Sequence, residues 1–159
     1  MSGLPVRPPE LLTPWLNTEL PWQQDVFERL SSLERQEKLP HAILLTGSKG
    51  LGKSRLAASF AAGVLCQASD AEPCGSCEAC QLVGGGAHGD FRWIRPEEGK
   101  RAIGVDAIRA SVSFMQQTPG YGSHKILVVE PAEAMTTAAA NALLKTLEEP
   151  PGQALLILV

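Results

Sequence analysis

The chain has 159 residues and lacks any long apolar run. "AILL" at 42–45 and "ALLILV" at 154–159 are far too short to cross a bilayer. The start, "MSGLPVRPPELLTPW", has no charged segment leading into an apolar one, so it does not read as a secretory signal. Basic charge is not in excess. The formal net charge is −3, so no sequence-wide positive field advertises nucleic acid, although a local basic patch is compatible with it. Aromatic residues make up only 5%, which together with the charge counts against a dedicated nucleic-acid-binding module. These absences fit a cytoplasmic protein with no membrane partner. Disulfides are out of place in that compartment. Cysteine itself is scarce: four residues, all between Cys66 and Cys80, which need another explanation.

What is present is enough for one domain with a real core. Residues 1–21 carry five prolines (Pro5, Pro8, Pro9, Pro14, Pro21) and read as an irregular arm; Trp15 and Trp22 are candidate docking points for it, with simple packing the plainer reading of both. From residue 22 the pattern alternates. A helix over 22–37 places Val26, Phe27, Leu30 and Leu33 at helical spacing. Strand-like runs follow at 41–46, 91–95, 125–130 and 154–159, with helices at 53–65, 105–117 and 136–149 between them. Thr136 stands at the start of the last helix and Pro150-Pro151 stop it. Strands that alternate with helices and read as solid apolar runs predict an α/β fold, a mostly parallel sheet with helices on both faces.

"GSKGLGKS", 47–54, fits G-x-x-x-x-G-K-[ST] and sits between a predicted strand and a predicted helix, the context that gives the pattern meaning. Gly47, Gly50 and Gly52 let backbone N–H groups curl around phosphate oxygens. The helix N-terminus adds partial positive charge. Lys53 would reach the β and γ phosphates, and Ser54 would ligate Mg²⁺. The plain alternative is a Gly-rich turn with an incidental lysine. A working site also needs a second strand ending in an acid. "KILVVEPAEAM" supplies Glu130 in the place of the Mg²⁺ acid. The next residue is Pro131, which has no carboxylate to activate water, and the aim of Glu133 is not set by the pattern. The frame of an ATPase is present without its hydrolytic base.

Cys66-x7-Cys74-x2-Cys77-x2-Cys80 supplies four soft ligands. Closed sets of four cysteines are structural zinc sites, and C-x2-C turns aim two sulfurs at one ion. A redox pair or inert buried cysteines are the alternatives. His88, eight residues beyond Cys80, reads as a surface residue. The zinc module therefore covers about 66–80, inserted after the phosphate-loop helix.

The phosphate loop, the four cysteines, "GVDAIR" at 104–109 and "NALLKTLEEPP" at 141–151 together resemble the clamp-loader family of AAA+ ATPases in bacterial DNA polymerase III, over roughly Pro14 to Val159. "PWL" at 14–16 and "GVDAIR" resemble the delta-prime branch more than the motor branch, tau or gamma, whose second strand ends in Asp-Glu rather than Glu130-Pro131. The resemblance implies a stator-like subunit with little or no ATP hydrolysis of its own. It implies partners too: motor and delta-like subunits directly, and the sliding clamp and primed DNA through the complex. A motor with an unusual base is the alternative, and ATP with Mg²⁺ is the ligand the loop is patterned for. The family's sheet order, 5-1-4-3-2, implies that residues 22–159 hold an incomplete AAA+ domain, strands 1 to 4 without the fifth strand or the lid. The Ser-Arg-Cys motif through which such stators lend an arginine is not present in these residues. The chain thus reads as the N-terminal part of a longer protein, with strand 1 as an apolar edge.

Overall fold

The computed structural model describes residues 20–68 and 71–159. Of the expected arm over 1–21 only Leu20 and Pro21 fall among them, and Trp15 lies outside. Helix α1 (Gln24–Arg35) follows one 3-10 turn, Pro21–Gln23. Then come β1 (Ala42–Leu44), α2 (Lys53–Leu65), α3 (Glu78–Gly84), β2 (Phe91–Ile94), α4 (Val105–Met115), β3 (Lys125–Val129), α5 (Thr137–Glu148) and β4 (Ala154–Leu158). All strand pairs are parallel, in the order β1-β4-β3-β2. This is the order expected of strands 1 to 4.

The side-chain period of two in each strand divides the core between the faces. Phe91, Trp93, Ile126, Val128, Leu155 and Ile157 pack with Phe27 of α1 and with Leu56 and Phe60 of α2. Ile94, Leu127, Val129 and Leu156 pack instead with Ile108, Phe114 and Met115 of α4 and Leu143 of α5. Helices therefore cover both faces. β3, in the interior of the sheet, is buried at every position. β1 is the apolar edge expected of strand 1: it is short and half-buried rather than buried as its apolar run alone suggests, and Leu44 is 62% exposed. It pairs on one side only, with β4, so among the described residues one flank has no strand to cover it. α2 is buried along Leu56–Leu65 because its alanines and Gly63 let backbone come close. A Cβ on Gly63 would stand 2.6 Å from the Ala71 carbonyl oxygen. Thr136 caps α5 by accepting from the Ala139 N–H at 3.1 Å, a contact of about 1 kcal/mol.

Two features depart from the sequence reading. α3 stands in the window after α2, where the sequence reads as turns alone. His88, expected at the surface, is 4% exposed. Its Nδ1 accepts from the Asp90 N–H at 3.0 Å, and its ring meets Tyr121 edge-on. The reason lies next door. The Asp90 carboxylate, 1% exposed, accepts from the N–H groups of Gly120, Tyr121 and Gly122 at 2.7–2.8 Å. It also pairs with the Lys125 ammonium at 2.8 Å. This cluster fastens the 118–124 turn to the amino ends of β2 and β3 and draws His88 inward.

Candidate functional site

In an open parallel sheet, ligands bind beyond the carboxyl ends of the strands. The turn after β1 and the residue after β3 meet there. Gly47, Gly50, Gly52, Lys53, Ser54 and Glu130, all expected from the sequence, line one cleft of about 1040 Å³. Four basic side chains (Lys49, Lys53, Arg55, Arg95) and two acidic ones (Glu130, Glu133) face it, a balance suited to an anion. Gly47, Gly50 and Gly52 all have positive φ, which only glycine adopts at little cost. The Lys53 ammonium donates to the carbonyls of Gly47 at 2.6 Å and Ser48 at 3.2 Å, bracing the loop from within.

The segment before α1 closes over the loop. The Gln23 amide donates to the Leu51 and Gly52 carbonyls at 2.8 and 2.7 Å, and the Trp22 indole N–H donates to Leu51 O at 2.9 Å. Trp22 is nevertheless 60% exposed. Gly52 has φ +79°, and a Cβ there would lie 2.6 Å from Leu20 Cδ1 and 2.9 Å from Gln23 Nε2. Gly52→Ala should therefore expel the Gln23 amide and cost about 1–3 kcal/mol through the strained φ and the lost contacts. Denaturant melts of wild type and variant measure this. An unchanged midpoint would show the closure to be idle.

Glu130 stands where β3 ends. Ser54 Oγ donates to its Oε1, the Trp93 indole N–H donates to its Oε2 at 3.1 Å, and Arg95 Nε lies 3.5 Å from the same oxygen. Pro131 follows at the cleft wall, and Glu133 sits exposed on a 3-10 turn, Ala132–Ala134. Sequence reasoning misses Gln23, Trp93 and Arg95. All three are brought in by strand order or by a helix start some thirty residues away, and no local motif marks them. A second cavity of about 620 Å³ lies between the 94–107 segment and Thr136, and Arg95 lines both.

The four cysteines converge. All four sulfurs lie within 4.8 Å of one another, and Cys66 Sγ is 3.9 Å from Cys77 Sγ. No disulfide links them. Cys77 caps α3: its sulfur accepts from the Cys80 N–H at 3.4 Å, while Cys74 Sγ accepts from the Cys77 N–H at 3.3 Å. The Ser76 N–H, then that of Cys77, hold the Cys74 thiol down at about 6. Burial pushes the Cys80 thiol up to about 12. A group of this kind could hold a metal ion, whose charge lets a buried thiol ionise. The module is no pendant loop. Cys80 is fully buried with Val83 in the core cluster beside α2, and Ser31 of α1 donates to Ala71 O at 3.1 Å.

The family described as DNA polymerase III, delta subunit, matches residues 22–159. DNA polymerase III subunit delta' of Pseudomonas aeruginosa is 46% identical over 140 residues, 87% of this chain and 42% of that protein. Its counterpart in Escherichia coli is 38% identical over 134 residues, 84% of this chain and 40% of that protein. DNA polymerase III subunit tau of Bacillus subtilis is 34% identical, covering 86% of this chain and 24% of that protein. A gamma subunit-related protein of Thermotoga maritima superposes with a TM-score of 0.55 at 26% identity, covering 81% of this chain and 38% of that structure. The chain spans about two-fifths of the length of the delta' relatives.

Proposed function

We propose that this chain, which belongs to the DNA polymerase III delta subunit family, acts as a stator-like, delta-prime-type subunit of a replicative clamp loader rather than as its motor. One observation carries the reading. At the end of β3 the acid is Glu130 and the next residue is Pro131, so no carboxylate follows to activate water. Relatives named delta' support the same assignment. The partners proposed are motor and delta-like subunits of the complex, with the sliding clamp and primed DNA reached through it. The cytoplasm, where such a complex works, is the proposed location. Among the described residues no helix is long and apolar enough to cross a membrane.

The phosphate loop, intact in its pattern, is proposed to hold ATP without turning it over. The cysteines are proposed to hold one structural zinc ion. A tetrahedral thiolate site with Zn–S of about 2.3 Å sets its sulfurs about 3.8 Å apart. The observed Cys66–Cys77 separation of 3.9 Å is close to that edge. Four ligands with no open position suit a structural rather than a catalytic ion.

The alternative, a tau-like motor, is favoured by the complete phosphate loop. Phosphate release separates the two. The isolated protein should hydrolyse ATP at the background rate. A steady rate that disappears in Lys53→Ala would identify a motor.

A further inference from the structure

Mg²⁺ demands near-octahedral oxygen ligands and keeps several waters, which the acid beside it must be free to accept from. The Ser54 contact to Glu130 does not settle whether that is met, because a loop serine and a strand-end acid stand together beside such an ion. The groups around the other carboxylate oxygen bear on it more directly. Oε2 already receives the Trp93 indole N–H at 3.1 Å and faces the Arg95 guanidinium at 3.5 Å. Glu130 is only 14% exposed, so little of it is left for water. A divalent cation beside this carboxylate would meet the positive charge of Arg95. The arrangement does not fit the metal.

Arg95 also lines the phosphate cleft, just after β2, as do Lys49 and Lys53. Its side chain is 39% exposed, so the guanidinium is within reach of a ligand in the cleft. A guanidinium is always charged and offers several N–H donors suited to phosphate oxygens.

We propose that Arg95 takes the place of the magnesium ion, so that the cleft binds nucleoside triphosphate without a divalent metal. This rests on the reading that the phosphate loop holds nucleotide. It reaches further, to the ionic form of the ligand: the metal-free triphosphate rather than its Mg²⁺ complex.

Titration calorimetry with ATP, in EDTA and in excess Mg²⁺, tests it. For the wild-type protein the two dissociation constants should agree within about twofold. In EDTA, Arg95→Gln should bind ATP about tenfold or more weakly, with Mg²⁺ restoring part of the loss. Arg95→Lys keeps the charge and should retain metal-free binding, which guards against loss of fold as the cause. Wild-type binding that appears only with Mg²⁺ would overturn the substitution while leaving the nucleotide reading intact. So would Arg95→Gln behaving as wild type in EDTA. Absence of ATP binding in both buffers would instead overturn the nucleotide reading, and the substitution with it.

Discussion

Asp90→Ala should destabilise the domain by about 3–5 kcal/mol, the usual cost of leaving one partner of a buried ion pair alone. Typical domains hold only about 5–15 kcal/mol in total, so this is a large share of the stability. The mechanism is specific. The substitution removes the acceptor for three backbone N–H groups, at Gly120, Tyr121 and Gly122, and the counter-charge of Lys125. Lys125 keeps two weaker partners, the Gly89 carbonyl at 3.3 Å and the Phe114 ring at 4.7 Å. These soften the loss without cancelling it. Urea unfolding of wild type and variant measures it, and a difference under about 1 kcal/mol would show that the cluster is not a fastening.

The same cluster sets an acid sensitivity. Burial raises the pKa of Asp90, but Lys125 and the three N–H groups more than offset this and hold the carboxyl below its ordinary 3.8. The unfolded chain then binds the proton more readily. The Asp90 contribution is present above about pH 4 and is lost as pH falls through the folded value. Burial also lowers His88 from its ordinary 6.5, a shift that Asp90 opposes and Lys125 assists. The sign is again the same: the unfolded chain takes up the His88 proton first, so stability declines as pH drops below about 6.5. Wild type should therefore lose stability in two stages on acidification. Asp90→Ala should lack the lower stage.

Removal of the proposed zinc should be the second large effect. Zinc-finger peptides gain about 10–16 kcal/mol from their ion, an upper bound here because the sheet has a core of its own. The module is nevertheless part of that core, since Cys80 and Val83 pack beside α2. Chelation should melt α3, expose the α2 face and cost several kcal/mol. A loss of about 3 kcal/mol lowers the melting temperature of a domain this size by about 6–12 °C. Cys80→Ser should mimic chelation across the domain, because it places a hydroxyl in a fully buried site as well as deleting a ligand. Protein purified without added zinc should carry one equivalent. Less than about half an equivalent, with four titratable thiols, would contradict the site.

What is legible in the sequence is local or periodic. The phosphate loop, β3 and α5 announce themselves by glycine spacing, an unbroken apolar run and a capped apolar stripe. The two-faced sheet follows from strands alternating with helices. α3 is not legible because "EACQLVG" is too short to show a helical period, and its cap is a cysteine rather than the usual Ser or Asp. Asp90 and Lys125 look like ordinary charges at strand starts. Their pairing depends on β2 lying beside β3, a register no local pattern states. Arg95 reaches Glu130 for the same reason. His88 misleads because a histidine near a glycine-rich turn is usually solvated, and its burial follows from the Asp90 cluster behind it.

The central proposal is that this chain belongs to a stator and not to a motor. The most direct measurement places Lys53→Ala in this subunit alone, within a clamp loader reassembled from motor, delta-like and delta-prime-type subunits. ATP hydrolysis stimulated by the sliding clamp and primed DNA is then followed. The account predicts that the complex assembles and that its stimulated hydrolysis is the same with the variant as with the wild-type subunit. A fall in stimulated hydrolysis with an intact Lys53→Ala complex would contradict it.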